Sequence, residues 1–291
     1  MNDSPFSALS PLAIVGGAGR MGAFFGELFR AAGVSVHSIE KDTPAHELKS
    51  ILKSARTVII SVPIAKTVAI IENTIPLLAP NALLVDLTSI KEGPVKAMSK
   101  HSGEVLGLHP MFAPIPGGLA NQTIVVCSHR GGAQSKLLCS FFELHGAKLQ
   151  QLTAERHDRL MAVVQGLNHF HSIVFAHAIK SIGLPVEETI EVASPVYRLH
   201  MQLMGRILAQ DPQLYVDIQL FNPYVVEVLQ AFQSSSEAFF NAIQSGSNTA
   251  CLNFFTEAAA SLGEYGKIAL RESDELMAFA ARAAQKPLSE K

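Results

Sequence analysis

A glycine run, one histidine and a few serines carry the chemical information in this 291-residue chain. Gly17-Ala18-Gly19-Arg20-Met21-Gly22 is a GxGxxG run directly after the apolar stretch Leu12–Val15, where a helical pattern begins. In such a turn Gly17 permits the bend, Gly19 lets the backbone approach a pyrophosphate, and Gly22 allows close helix–strand packing. The free N–H groups at the helix start, around Arg20 and Met21, attract the anion. Glu40 ends the next apolar run, about 20 residues on, where a carboxylate accepts from the adenosine ribose hydroxyls and repels a 2′-phosphate. That favours NAD over NADP, although Lys41 beside it softens the repulsion.

Ser61-Val62-Pro63 closes a third run, Asp86-Leu87-Thr88-Ser89 a fourth, and His109-Pro110 a fifth. In an open parallel sheet ligands sit outside the carboxyl ends of the strands, so these groups share one edge with the dinucleotide. Packing requires none of them. The chemistry they suit is hydride transfer, in which a hydroxyl loses its proton as the C–H bond breaks. Neutral imidazole is the usual base near pH 7, so His109 is the candidate, with Ser89 holding the same hydroxyl. A serine-nucleophile reading lacks a GxSxG elbow and leaves the glycine turn unexplained. Further along, Arg198 and Arg206 lie on apolar helical stretches, where a buried guanidinium calls for a carboxylate from protein or substrate. His157-Asp158 and His169 stand on the first long helical stretch, as core residues or as site residues. His169-x-His171 lacks the third ligand of a zinc signature, so no metal is expected.

The elements that must position these groups follow from apolar patterning. Continuous apolar runs at 12–15, 34–39, 57–62, 83–87, 105–108, 123–127 and 147–152 predict strands buried on both faces. Helical intervals between them predict βαβ units, hence an α/β, Rossmann-type doubly wound parallel sheet. After Thr153, a candidate cap, apolar residues recur three or four apart and predict an all-helical second half. Gly183 and Pro185 stop its first helix, Asp211-Pro212 starts another, Pro223 splits that segment, and 245–248 precede a last helix. The expected division is a tail at 1–11, a dinucleotide-binding domain at 12–152 and a helical substrate and dimerisation domain at 153–291. Helix faces this apolar predict a homodimer.

Composition agrees. Hydrophobic residues at 48% exclude a disordered chain, and 23 basic against 25 acidic residues without a basic block argue against nucleic acid. No apolar run reaches the ~18 residues of a membrane span, and the start lacks the pattern of a secretory signal. Cys127, Cys139 and Cys251 have no CxxC spacing and suit reduced thiols, so a cytoplasmic location is expected.

These residues resemble the prephenate dehydrogenase family, most closely the dehydrogenase part of the bifunctional chorismate mutase–prephenate dehydrogenase. The carrying stretches are IVGGAGRMG (14–22), SVPI (61–64), LVDLTSIKEGP (84–94), LGLHPMFAP (106–114), RHDRLMAVVQGLNHF (156–170) and SPVYRLHMQLMGRILAQDPQLY (194–215). The resemblance implies NAD-dependent oxidative decarboxylation of prephenate to 4-hydroxyphenylpyruvate in tyrosine biosynthesis, by a dimer. It makes His109 the base on the 4-hydroxyl, supported by Ser89, and Arg206 the holder of a prephenate carboxylate. His157, His169 and Tyr215 match residues near the substrate, His101 one near the nicotinamide, and Ser61, Val62 and Pro63 a stretch along the cofactor. Neither a chorismate mutase segment before residue 12 nor a regulatory domain at the end is expected from the sequence. The loop at 113–117 is less polar than in close relatives, and Asn168 stands where a basic residue is common. Both keep open a paralogue acting on 4-amino-4-deoxyprephenate or arogenate. A catalytically silent dinucleotide sensor would have no need of His109, Ser89 and Arg206 together.

Overall fold

Seven short apolar runs pair into one sheet in the computed structural model, which describes residues 5–114 and 118–284. The strands are β1 (Leu12–Val15), β2 (Val36–Ile39), β3 (Thr57–Ile60), β4 (Leu83–Asp86), β5 (Val105–Pro110), β6 (Thr123–Arg130) and β7 (Lys148–Gln151). Helices α1 (Arg20–Ala31), α2 (Ala45–Ser54), α3 (Ile64–Thr74), α4 (Glu92–Met98) and α5 (Ala133–Leu144) are interleaved with them. The order is β2-β1-β3-β4-β5-β6-β7. β1 to β5 run parallel, whereas β6 returns antiparallel to β5 and pairs in parallel with β7. The sheet is therefore parallel-dominated rather than wholly parallel. The described residues between β5 and β6 form no helix, and a return in the parallel sense needs a long crossover that is usually a helix.

Both faces are covered, which is why the strand sequences are continuously apolar. Leu12 and Ile14 face a layer with Phe25 and Phe29 of α1 and Phe141 and Phe142 of α5. Ala13, Val58 and Ile60 face the other, with Leu52 of α2, Ile71 of α3 and Met98 of α4.

Beyond β7, Thr153 caps α6 (Ala154–Met161) by accepting from the Arg156 amide at 3.1 Å. A six-residue π-helical stretch, Ala162–Leu167, leads into α7 (Asn168–Ile182), which Gly183 ends at φ +80°. Then come α8 (Val186–Glu191), α9 (Pro195–Leu208), α10 (Pro212–Phe221), α11 (Val225–Gln244), α12 (Asn248–Leu262) and α13 (Glu264–Ala284). The final stretch holds two helices where one was expected, separated at Gly263, whose φ of +52° no helix continues through.

The chain forms two compact units, Met1–Gln165 with Gln213–Val225, and Gly166–Pro212 with Val226–Lys291. α6 lies past residue 152, where the apolar pattern changes, yet it groups with the sheet because Asp158 accepts two amides at the start of α4. α10 joins the same unit, where buried Asp217 accepts the Ala65 amide of α3 at 3.3 Å. All elements of the second unit among the described residues are helices, and many of their large apolar side chains are exposed, among them Leu252, Phe255 and Leu270. No described helix is long and apolar enough to cross a membrane.

Candidate active site

The glycine turn opens onto a cleft of about 670 Å³ at the carboxyl ends of β1, β2 and β3, lined by Gly16, Gly19, Glu40, Lys41, Ser61, Val62 and Pro63. Its tight bend falls on Gly16, at φ +80°, a position the GxGxxG reading passed over. A Cβ at Gly16 would strike the Ser61 carbonyl oxygen, one at Gly17 the Ser38 hydroxyl, and one at Gly22 the Gly16 carbonyl oxygen. Gly17 and Gly22 thus serve the turn from within, while Gly19, the N-cap of α1, faces the cleft. Arg20 is exposed and Met21 packs into the phenylalanine layer; neither lines the cleft. Glu40 Oε1 accepts the Ala18 amide at 2.6 Å and the Ser38 hydroxyl at 2.9 Å. The carboxylate is held against the turn, and the open space with bare amides fits the ribose and pyrophosphate of a dinucleotide.

His109 sits on β5 near its carboxyl end and is buried. Its Nδ1 lies 2.8 Å from Nε2 of His157, whose Nδ1 lies 2.7 Å from Oδ1 of Asp158. The same carboxylate accepts the Lys91 amide on Oδ1 and the Glu92 amide on Oδ2, each at 2.8 Å. On the other side of the His109 ring, the side-chain amide nitrogen of Gln165 stands 3.4 Å from Nε2. Beneath β5, the buried Lys91 ammonium pairs with Asp86 and donates to the Leu108 carbonyl at 2.8 Å. Gly107 makes room for it, since a Cβ there would meet the Lys91 stem at 3.2 Å. Burial, then His157, then Lys91 hold His109 well below the ordinary imidazole pKa, so it is neutral at pH 7. Burial also lowers His157, against the pull of its bond to Asp158.

Ser89 follows β4 half-buried, on the loop next to the end of β5. Two expectations change. His157 is fully buried with both ring nitrogens engaged by His109 and Asp158, leaving none for a substrate. His101 is buried at the opposite, amino-terminal edge of β4, its Nε2 2.8 Å from the Ala82 carbonyl, so the fold separates it from the cleft. Tyr215 is half-buried on α10 in the first unit, while His169 and Arg206 belong to the second. Arg206 is exposed on α9 and forms no ion pair with a described residue. Arg198 donates to the Ile190 carbonyl at 2.9 Å rather than to a carboxylate. Of the loop at 113–117, residues 115–117 lie outside the described residues. No group of three or more His, Cys, Asp or Glu among the described residues is arranged to hold a metal. Sequence reasoning singled out His157-Asp158 without their bond to each other, and missed Gln165 as a site residue and Lys91 as support. The π-helical stretch that carries Gln165 is a feature frequent at functional sites, but apolar periodicity does not reveal it.

A Rossmann-type nucleotide-binding unit with a buried neutral imidazole at its carboxyl edge, joined to a helical unit, defines a two-domain dehydrogenase. The chain belongs to the prephenate dehydrogenase family. Residues 39–150 match the family's nucleotide-binding domain and residues 153–257 its dimerization domain. It is 34% identical to the T-protein of Enterobacter agglomerans over 95% of this chain and 75% of that one. It is 26% identical to a 4-amino-4-deoxyprephenate dehydrogenase of Streptomyces pristinaespiralis, over 87% of this chain and 91% of that one. The crystal structure of prephenate dehydrogenase from A. aeolicus, in complex with hydroxyphenyl propionate and NAD+, shares the fold at a TM-score of 0.67. That match has 18% identity and covers 87% of this chain and 97% of that one.

Proposed function

We propose that the chain oxidises prephenate with NAD and releases carbon dioxide and 4-hydroxyphenylpyruvate. The observation that carries this reading is His109, a neutral base with Nε2 not engaged by the His157–Asp158 pair, on the strand edge shared with the glycine-turn cleft. The A. aeolicus family structure, with NAD+ and a hydroxyphenyl ligand, supports the same ligand pair here. Glu40, fixed against the Ala18 amide, receives the ribose hydroxyls and disfavours a 2′-phosphate. Gly19 and the first amides of α1 receive the pyrophosphate, and Ser61, Val62 and Pro63 border the path to the reacting end. When bound, the nicotinamide accepts the hydride from C4 of the substrate.

His109 Nε2 takes the proton of the 4-hydroxyl as that hydride leaves, and Ser89 holds the hydroxyl in line. The electron pair of the bond to the ring carboxylate then completes the aromatic ring, the carboxylate departs as carbon dioxide, and the C4 oxygen regains its proton from His109. Arg206 is assigned to a substrate carboxylate, and His169 and Tyr215 are further substrate-binding residues. The apolar faces of the second unit pair with a second copy of the chain, in keeping with the dimerization-domain match.

A second reading, the 4-amino analogue, is favoured by the Streptomyces relative and by Gln165, whose buried Oε1 has no hydrogen-bond partner among the described residues and would accept from an amine. Purified protein is supplied with NAD or NADP and, in turn, prephenate, 4-amino-4-deoxyprephenate and arogenate, and reduced cofactor is followed by absorbance. Turnover with prephenate and NAD is expected. Turnover confined to an amino analogue replaces the leading reading with the second, and none with any substrate leaves the silent sensor.

A further inference from the structure

The residues around Asp158 set the protonation of the reactive histidine at a distance. Asp158 accepts one amide on each oxygen, from Lys91 and from Glu92, both at the start of α4. With an amide donated to each oxygen, this carboxylate offers lone pairs to its remaining neighbour. The 2.7 Å contact from His157 Nδ1 to Asp158 Oδ1 is therefore an N–H donated by the imidazole. In a neutral ring the other nitrogen, Nε2, is then bare. The 2.8 Å contact between that nitrogen and His109 Nδ1 needs one hydrogen, and only His109 can supply it. His109 Nε2 is left with a lone pair, faced by the Gln165 amide. Lys91 and Asp86, the other charged groups packed against these rings, are paired with each other.

We propose that Asp158 is a positioning residue that, through His157, locks His109 into its Nδ1–H tautomer, so that Nε2 always presents a lone pair to the substrate. The device resembles the carboxylate–imidazole pair of serine proteases, lengthened by a second imidazole. It explains why the fold buries two histidines side by side and why His157 has no capacity left for a ligand. Asp158 is also the bracket that joins α6 to α4, and Asn222 fixes it further by donating to the Asp158 backbone carbonyl at 2.8 Å. Tautomer and backbone position are thus set by one side chain.

The inference rests on the dehydrogenase reading only for its kinetic arm. The decisive measurement is made on the unliganded full chain, with histidines labelled with nitrogen-15, by long-range proton–nitrogen correlation of the imidazoles. Wild type is expected to show His109 and His157 both carrying hydrogen on Nδ1 and none on Nε2. In Asp158→Ala nothing accepts the His157 Nδ1 hydrogen, the two tautomers are released, and hydrogen appears on His109 Nε2. With the base thus blocked, kcat falls by roughly 10²–10⁴-fold with KM little changed. His157→Gln keeps an acceptor for His109 and a donor for Asp158, so it retains the tautomer and kcat within about tenfold of wild type. Should Asp158→Ala fail to fold, wild type and His157→Gln still decide the matter. Hydrogen on His109 Nε2 in wild type, or a tautomer unmoved by Asp158→Ala, overturns the proposal. Failure of every substrate to turn over leaves the tautomer result standing and removes only the reaction.

Discussion

His109 owes its suitability as a base to burial, which opposes the charged imidazolium and is reinforced by His157 and Lys91. Because its pKa lies well below 6.5, kcat/KM is expected to hold through pH 6.5 and to fall on an acid limb below it, as seen in a pH–rate profile of the free enzyme. A limb centred at or above 6.5 would give the proton-accepting role to another group. His109→Asn is expected to lower kcat roughly 10²–10⁴-fold, and a change within threefold would remove His109 from the reaction. The Lys91–Asp86 pair beneath β5 is fully buried. Lys91→Met strands a carboxylate in the core and is expected to lower unfolding free energy by about 3–5 kcal/mol. The double variant Lys91→Met, Asp86→Leu should recover a large part of that loss in denaturant titrations, since no unpaired charge remains.

Helices α3 and α4 take their caps from carboxylates far along the chain, Asp217 and Asp158. Neither has a capping side chain of its own, because Pro63 and Lys91 occupy the N-cap positions. A distant carboxylate replaces the local serine or aspartate and gains from the helix dipole as well. Asp217→Ala is therefore expected to destabilise the protein by roughly 1 kcal/mol, read as a lowered denaturant midpoint at unchanged m-value. The glycine turn sets a harder limit. Gly22→Ala puts a Cβ against the Gly16 carbonyl oxygen, so α1 must move off the turn and NAD affinity should fall, measured by calorimetric titration. Unchanged affinity would show that the α1 amides do not hold the pyrophosphate.

For the molecule as a whole, the buried histidines tie stability to pH. His109 and His157 have folded pKa values below the unfolded value of about 6.5, so the unfolded chain binds more protons in the window beneath it. Their contribution is complete above pH 6.5 and is lost as pH falls through the lowered folded values. The melting temperature should drop across that window, and less steeply in His109→Asn. The second unit leaves Leu252, Phe255 and Leu270 exposed, and residues 153–257 match the family's dimerization domain. A dimer is expected by sedimentation, with Phe255→Asp shifting it toward monomer. A wild-type monomer at micromolar concentration would contradict this assembly.

Local pattern alone determined a good deal of this protein. Runs buried on both faces must be apolar throughout, so every strand was legible, and β1 was legible to the residue. Thr153, Gly183 and Asp211-Pro212 announced helix boundaries because caps act within one turn. His109 was visible because a polar residue ending an apolar strand has no packing reason to be there. What tertiary structure decided is pairing between distant segments. The reversal of β6 depends on the connection before it, and that Gly16 takes the bend depends on the approach of Ser61. His101 and His109 both look like site histidines in one dimension, yet they fall on opposite edges of the sheet. Adjacent residues on a helix do not normally face each other, so the His157–Asp158 bond was invisible in the sequence. Its partners, 48 residues away at His109 and 67 residues away at Lys91, meet it only because long-range burial folds α6 back onto α4 and β5.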